Sequence, residues 1–290
     1  MAVTFLAPAK INLTLDITGK REDGYHTVDM VMQTVSLYDD VTVEKSAQEG
    51  IRLSCNVPGI PCDSGNTAYK AAALFQKAAQ VPGGVCIGID KHIPTQAGLA
   101  GGSSDAAAVL LAMNHLYDAP LSTGTLMQIG AQVGADVPFC LYGGTMLAKG
   151  IGTALFPLHP LPPCWIVLVK PDVGVSTKEA YARCDNRGYT ENVHSGRLVK
   201  ALEEGSLSLL SGCLHNDFEE VLRLRLIRQI KDDLCKCGAL GACMSGSGPT
   251  VFGIFDRKET ALSCTEHLKG TYTSVFLARA VSYGCFQKIE

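Results

Sequence analysis

At 290 residues the chain can build one large or two ordinary domains with full hydrophobic cores, so folding requires no disulfide or metal. With 47% apolar and 18% charged residues it reads as a soluble globular protein, and a net charge of -3 leaves no sequence-wide footprint for nucleic acid. The longest wholly apolar stretches, Ala106 to Met113 and Trp165 to Val169, fall far short of the roughly 20 residues that span a bilayer, so no membrane partner is expected.

The first residues carry no basic start or long apolar core before strand-like alternation begins, which points to the cytoplasm. From Lys10 to Ile17, apolar Ile11, Leu13, Leu15 and Ile17 alternate with Lys10, Asn12, Thr14 and Asp16, predicting a half-buried strand. Gly19 to Gly24 supplies a turn, and His26 to Leu37 returns as its antiparallel partner. Short strands are predicted at Val41 to Val43 and Ile51 to Leu53, a helix at Asn66 to Ala79, and a strand at Val85 to Ile89.

Helices are expected from about Ser104 to Leu116 and at Leu121 to Val133. The proline-rich stretch Pro157 to Pro163 is the best domain boundary, followed by a strand at Trp165 to Lys170. Beyond it come helices at Thr177 to Cys184, Ser195 to Glu204 and Asp217 to Cys235, a strand-loop-strand at Ala242 to Phe255, a helix at Lys258 to Leu268 and a strand at Ser274 to Val281. This order lacks a steady βαβ rhythm, so the fold class is α+β.

Thirty glycines, against the roughly 7% usual in proteins, concentrate at Gly98 to Gly102, Gly130 to Gly152 and Gly238 to Gly253. In IPTQAGLAGGSSDAAAVLLAM, Ile93 to Met113, the glycines let a backbone approach an anion and a helix start offers free amides and the positive end of its dipole. The loop also reads as a tight turn with Ser103 or Ser104 as a helix cap. No G-x4-G-K-[ST] occurs, and this loop lacks G-x-G-x-x-G, which disfavours P-loop and Rossmann nucleotide sites. GACMSGSGPTVFGIF, Gly241 to Phe255, reads equally as a hairpin turn or as a second phosphate cradle.

Lys10 on a strand is ordinarily solvated, and Asp136 in GADVPFCLYGG is as readily a turn or cap residue as a proton acceptor. The twelve cysteines are scattered and read as buried thiols, and Cys235, Cys237 and Cys243 lack zinc-ligand spacing. His92, His115, His159, His194 and His267 match no ligand spacing either, and no metal ligand is assigned.

Three segments, PAKINLTLDITGKREDGYH, PTQAGLAGGSSDAA and SGSGPTVF, resemble in order and spacing the three motifs of the GHMP kinases, and the resemblance runs from residue 7 to about 283. Further marks at Gly24 to His26, Gly134 to Cys140, Val175 to Tyr181 and His215 to Glu219 resemble the branch that uses ATP to phosphorylate the 2-hydroxyl of a cytidyl-methylerythritol in the non-mevalonate isoprenoid pathway. The resemblance implies two domains: residues 1–150, a ribosomal protein S5 domain 2-like nucleotide domain, and residues 151–290, a ferredoxin-like domain completing a substrate cleft.

It also implies that Lys10 and Asp136 form the catalytic pair. Pro94, Gly98, Leu99, Ala100, Gly101, Gly102, Ser103 and Ser104 would hold the phosphates of ATP with Mg²⁺, and Asn66 and Lys91 would lie near the adenine. Asn12, Tyr25, His26, Thr177, Tyr181, Gly246 and Ser247 would hold the small-molecule acceptor. Kinases of the family that act on small acids have no base to stack on Tyr25, His26 and Tyr181, and a non-catalytic binding module has no need of Asp136. Thr95 and Gln96 stand where small residues are common, and Asp105 where asparagine is frequent, so Asp105 is expected to point away from the phosphates.

Overall fold

The computed structural model describes residues 2–289. In the first half, β1 (Ala2–Lys20), β2 (His26–Ser46) and β3 (Ile51–Cys55) precede α1 (Thr67–Ala79) and β4 (Gly84–Asp90). Then come α2 (Gly101–Leu116), α3 (Thr123–Val133), α4 (Val137–Tyr142), β5 (Thr145–Gly150) and β6 (Ala154–Pro157). The second half opens with β7 (Trp165–Lys170), α5 (Thr177–Arg187), α6 (Ser195–Glu203), α7 (Leu207–Ser211), β8 (His215–Asn216) and α8 (Asp217–Leu222). It ends with α9 (Arg225–Lys236), β9 (Gly241–Met244), β10 (Val251–Phe255), α10 (Lys258–Lys269), β11 (Ser274–Arg279) and β12 (Phe286–Gln287).

A mixed sheet runs in the order β12-β1-β2-β4-β3, with β5 joining β2 and β6, and β8 joining β1. A second, antiparallel sheet has the order β11-β7-β10-β9 and packs against α9 and α10. No described helix is long and apolar enough to cross a membrane. All twelve cysteines are thiols.

The predicted half-buried strand is buried on both faces: Lys10 is 5% exposed, and Asn12, Thr14 and Asp16 are fully buried. Register shifts between Pro8 and Ala9 and between Asn12 and Thr14 explain how. Phe5 and Ala7 belong to the same core cluster as the helix α2 residues, whereas Ala9, Ile11 and Leu13 belong to the second cluster, and Leu15 and Ile17 return to the first. A bulge re-aims every side chain beyond it. Between the two irregularities, Lys10 and Asn12 therefore take the face that Phe5 and Ala7 occupy before it.

The single helix predicted at Asp217 to Cys235 is two, because Arg223 adopts a left-handed backbone, φ 47°, and closes α8. Charged residues hide that break in the sequence, since nothing like glycine or proline marks it. Helix α2 begins at Gly101, a turn earlier than Ser104, and α4, β5 and β6 were not expected from the pattern.

Candidate active site

The N-cap of α2 is Ala100, in left-handed conformation at φ 56° and with no side chain to cap the first turn. The amides of that turn therefore lack a side-chain acceptor, the arrangement that suits an anion. Neither serine caps the helix. Ser104 Oγ is fully buried and donates to the Pro8 carbonyl at 2.8 Å, so only Ser103 of the two hydroxyls borders the cleft. Leu99 is core, and its carbonyl accepts from the Lys10 amide at 3.0 Å, tying β1 to the loop.

The cleft encloses about 740 Å³ and places Lys10, Gly98, Ser103, Asp136, Tyr181 and Ser247 on one wall system. Lys10 Nζ donates to Asn12 Oδ1 at 2.7 Å and lies 3.6 Å from Asp136 Oδ2. Asn12 in turn donates to Met30 Sδ at 3.2 Å, so the lysine is held from below by a buried amide. Asp136 occupies the N-cap position of α4 yet makes no capping bond, and its side chain keeps 29% exposure. Its carboxylate faces Lys10 and the cleft in place of the helix.

The third loop meets the first directly. Ser245 Oγ donates to the Gly98 carbonyl at 2.9 Å, and the Thr250 amide donates to the Ala97 carbonyl at 3.3 Å. Across the opening, the hydroxyls of Thr177 at the start of α5 and Ser247 lie 2.8 Å apart. Gly246 has φ 54°, and a Cβ there would stand 3.0 Å from the Gly98 carbonyl.

Beside the cleft, His26 stacks on Tyr181, with ring centroids 4.3 Å apart and planes 18° from parallel, and Phe218 meets Tyr181 edge-on at 5.0 Å. Burial, with the Asp136 charge nearby, pushes the Tyr181 phenol up to about 12. Tyr25 stands apart, 63% exposed.

Asn66 and Lys91 both spend their side chains on protein partners. Asn66 Oδ1 caps α1 through the Ala68 amide at 2.9 Å, and Lys91 Nζ is buried between Asp39 and Asp105, at 2.7 Å from Asp105. Burial opposes the Lys91 charge, but the Asp105 and Asp39 carboxylates together raise its pKa. Burial likewise pushes the Asp105 carboxyl up to about 8, with Lys91 opposing it. Asp105 thus points away from the cleft, as expected, and Lys91 Nζ underlies the loop 3.0 Å from where a Cβ on Gly101 would lie. Pro94 lies where the chain leaves β4 for this loop.

Several residues of the site escaped the sequence reasoning. Asn216 caps α8, and its Nδ2 also donates to the carbonyls of Met244 and Gly246 at 2.7 and 2.8 Å, stitching down the third loop. Asp185 accepts from His26 Nε2 at 2.6 Å. Its spacing of four from Tyr181 places both on one helix face, a signal legible in the sequence. His194 and His215 stack at 3.6 Å beside the buried carboxylate of Asp16. Among the described residues, the groups with metal-ligand spacing are Asp16 with His194 and His215, and His215 with Asp217 and Glu220; none includes a cysteine.

Residues 66–144 match the model for the GHMP kinases N terminal domain, and residues 198–273 that for the GHMP kinases C terminal domain. A 4-diphosphocytidyl-2-C-methyl-D-erythritol kinase of Clostridium botulinum (strain Alaska E43 / Type E3) is 46% identical over 277 residues, covering 95% of this chain and 99% of its own length. One from Acetivibrio thermocellus is 45% identical over 282 residues, 97% of this chain and 99% of its own. A crystal structure of 4-(cytidine 5'-diphospho)-2C-methyl-D-erythritol kinase superposes with a TM-score of 0.82 at 34% identity, covering 97% of this chain and 99% of that one. A homoserine kinase structure from Cytophaga hutchinsonii shares the fold at a TM-score of 0.80 and 20% identity, covering 99% of this chain and 97% of that one. Matched in both halves and along nearly its whole length, this chain belongs to the GHMP kinase family.

Proposed function

We propose that this kinase transfers the γ-phosphoryl group of ATP to the 2-hydroxyl of 4-diphosphocytidyl-2-C-methyl-D-erythritol, giving the 2-phosphate and ADP, a cytoplasmic step of non-mevalonate isoprenoid synthesis. The observation that carries this reading is the pair Lys10 and Asp136, 3.6 Å apart in the cleft that the uncapped start of α2 and the ring of Tyr181 both line. The similarity to relatives named for that activity supports the choice of acceptor.

Phosphoryl transfer gives a protein little covalent chemistry to perform, so positioning and charge stabilisation dominate. The loop amides from Gly98 to Ser103 hold the triphosphate. Asp136 takes the proton of the acceptor hydroxyl as its oxygen bonds to the γ-phosphorus, and the bond to the bridging oxygen breaks to release ADP. Lys10, itself held by Asn12, orients the carboxylate and adds positive charge beside the transferred group. Residues 1–150 supply the ATP side and residues 151–290 complete the acceptor side.

Mg²⁺ accompanying ATP would neutralise phosphate charge. Ser103 Oγ borders the cleft with no hydrogen-bond partner among the described residues, and so fits as an oxygen donor next to that ion.

A coupled ADP-release assay tests the reading across cytidyl-methylerythritol, homoserine, mevalonate and galactose. Turnover confined to the first is the expected result; turnover of another acceptor alone, or of none, overturns it.

A further inference from the structure

Helix α5 carries two groups toward the acceptor side on the same face: Tyr181, on which His26 stacks, and Asp185, which meets the edge of the His26 ring. Asp185 Oδ1 accepts from His26 Nε2 at 2.6 Å and from the Tyr189 hydroxyl at 2.9 Å, while Oδ2 accepts from Lys20 at 2.5 Å. Lys20 and then His26 hold the Asp185 carboxyl well below the usual carboxylate range, so it is a permanent acceptor at neutral pH. The other ring nitrogen, Nδ1, takes no hydrogen bond from any described residue, although the His26 side chain is only 9% exposed.

A carboxylate at one nitrogen decides the state of the other. In a neutral imidazole a carboxylate at Nε2 favours the tautomer with the proton on Nε2 and the lone pair on Nδ1. A base bonded to Nδ1 in the plane of His26 extends the layer that already lies on Tyr181. A lone pair there attracts an exocyclic amine and repels an exocyclic carbonyl, the feature that separates cytosine from uracil.

We infer that Asp185 is a positioning residue that fixes His26 in the Nε2-protonated tautomer and thereby selects a cytosine-bearing acceptor over its uracil counterpart. This rests on the reaction proposed above, and the test separates the two. The ratio of kcat/KM for the cytidyl acceptor to that for its uridyl analogue is measured in the wild type, in Asp185→Ala and in Lys20→Met, which keeps the carboxylate beside His26. The wild type prefers the cytidyl form, Asp185→Ala narrows the ratio by roughly tenfold or more, and Lys20→Met preserves it. Nitrogen-15 NMR of the wild-type imidazole, which requires no variant to fold, shows the proton on Nε2.

An unchanged ratio in folded Asp185→Ala, or a wild-type proton resident on Nδ1, overturns the role of Asp185 while leaving the kinase assignment intact. A wild type that phosphorylates neither nucleotide overturns the assigned reaction and this inference together.

Discussion

Gly98 and Ser245 touch backbone to backbone: a Cβ built on Gly98 would lie 2.1 Å from the Ser245 carbonyl oxygen. The loop before α2 and the loop between β9 and β10 are consequently one packed unit. Gly98 also has φ +73°, so a side chain there adds backbone strain of about 1 to 3 kcal/mol to the clash. Gly98→Ala should melt well below the wild type and lose activity toward both substrates. Gly150, at φ +68° with open space around it, isolates the strain alone, so Gly150→Ala should show the smaller loss. Equal melting temperatures for the two variants would contradict this contact.

Among the described residues, Asp136 is the one carboxylate in the cleft that faces Lys10, so its loss should be felt in the chemical step. Asp136→Ala is expected to lower kcat on the order of 10²- to 10⁴-fold with little change in the KM for ATP. Steady-state kinetics with each substrate varied in turn decides it, and an undiminished kcat would remove Asp136 from the mechanism.

Tyr181 lines the cleft while Phe218 braces it from the side. Stacking a base on an aromatic ring contributes roughly 1 to 3 kcal/mol, about 5- to 150-fold in affinity. Tyr181→Ala should raise the acceptor KM by that order and leave the KM for ATP near the wild-type value. Isothermal titration with the cytidyl acceptor gives an independent check.

His215 makes stability depend on pH. Burial opposes the charge on His215, but Asp217 and Asp16 outweigh it and raise the pKa. A raised histidine stabilises the fold fully below its unfolded pKa, about 6.5, and that contribution fades as pH rises through the higher folded value. Asp16, raised by burial, acts in the same sense at lower pH, whereas Asp217, held low, matters only in acid. Urea midpoints of the wild type should fall from pH 6 to pH 8.5, and those of His215→Gln should fall less. Parallel slopes would show that His215 carries no such linkage.

Asp39 and Asp105 share Lys91 unequally. Asp39 also accepts from the amides of His92 and Ile93 at 2.6 and 2.8 Å, while Asp105 Oδ1 is buried with no partner. Asp105→Asn should therefore cost less than about 1 kcal/mol, and Asp39→Asn clearly more, since breaking satisfied buried hydrogen bonds costs about 1 to 3 kcal/mol. Chemical denaturation of the two variants ranks them directly.

Much of this was legible in the sequence because it is local. The glycines before an alanine-rich helix mark the α2 loop, and hydrophobic spacing marks α1, α3 and α10 closely. The even residues of β1 were legible as a polar face but not as a buried one, because the bulge at Pro8 and the cover from distant elements leave no local trace. Ser104 looked like a second loop hydroxyl, yet helix α2 starts a turn early and rotates it against Pro8. The grip of Asn216 on Met244 and Gly246 spans 28 and 30 residues of chain and leaves no local trace.

Strand β1 draws its neighbours from the whole length of the molecule: β2 beside it, β8 at His215–Asn216 and β12 at Phe286–Gln287. Synthesis makes Lys10 before these partners, yet the hydrogen bonds that border its strand close only when His215, Asn216, Phe286 and Gln287 have been made. Such long-separated pairings fold late and slowly. The strand that carries Lys10 is thus finished long after Asn12, Leu99 and Asp136, which hold the lysine itself, have been made.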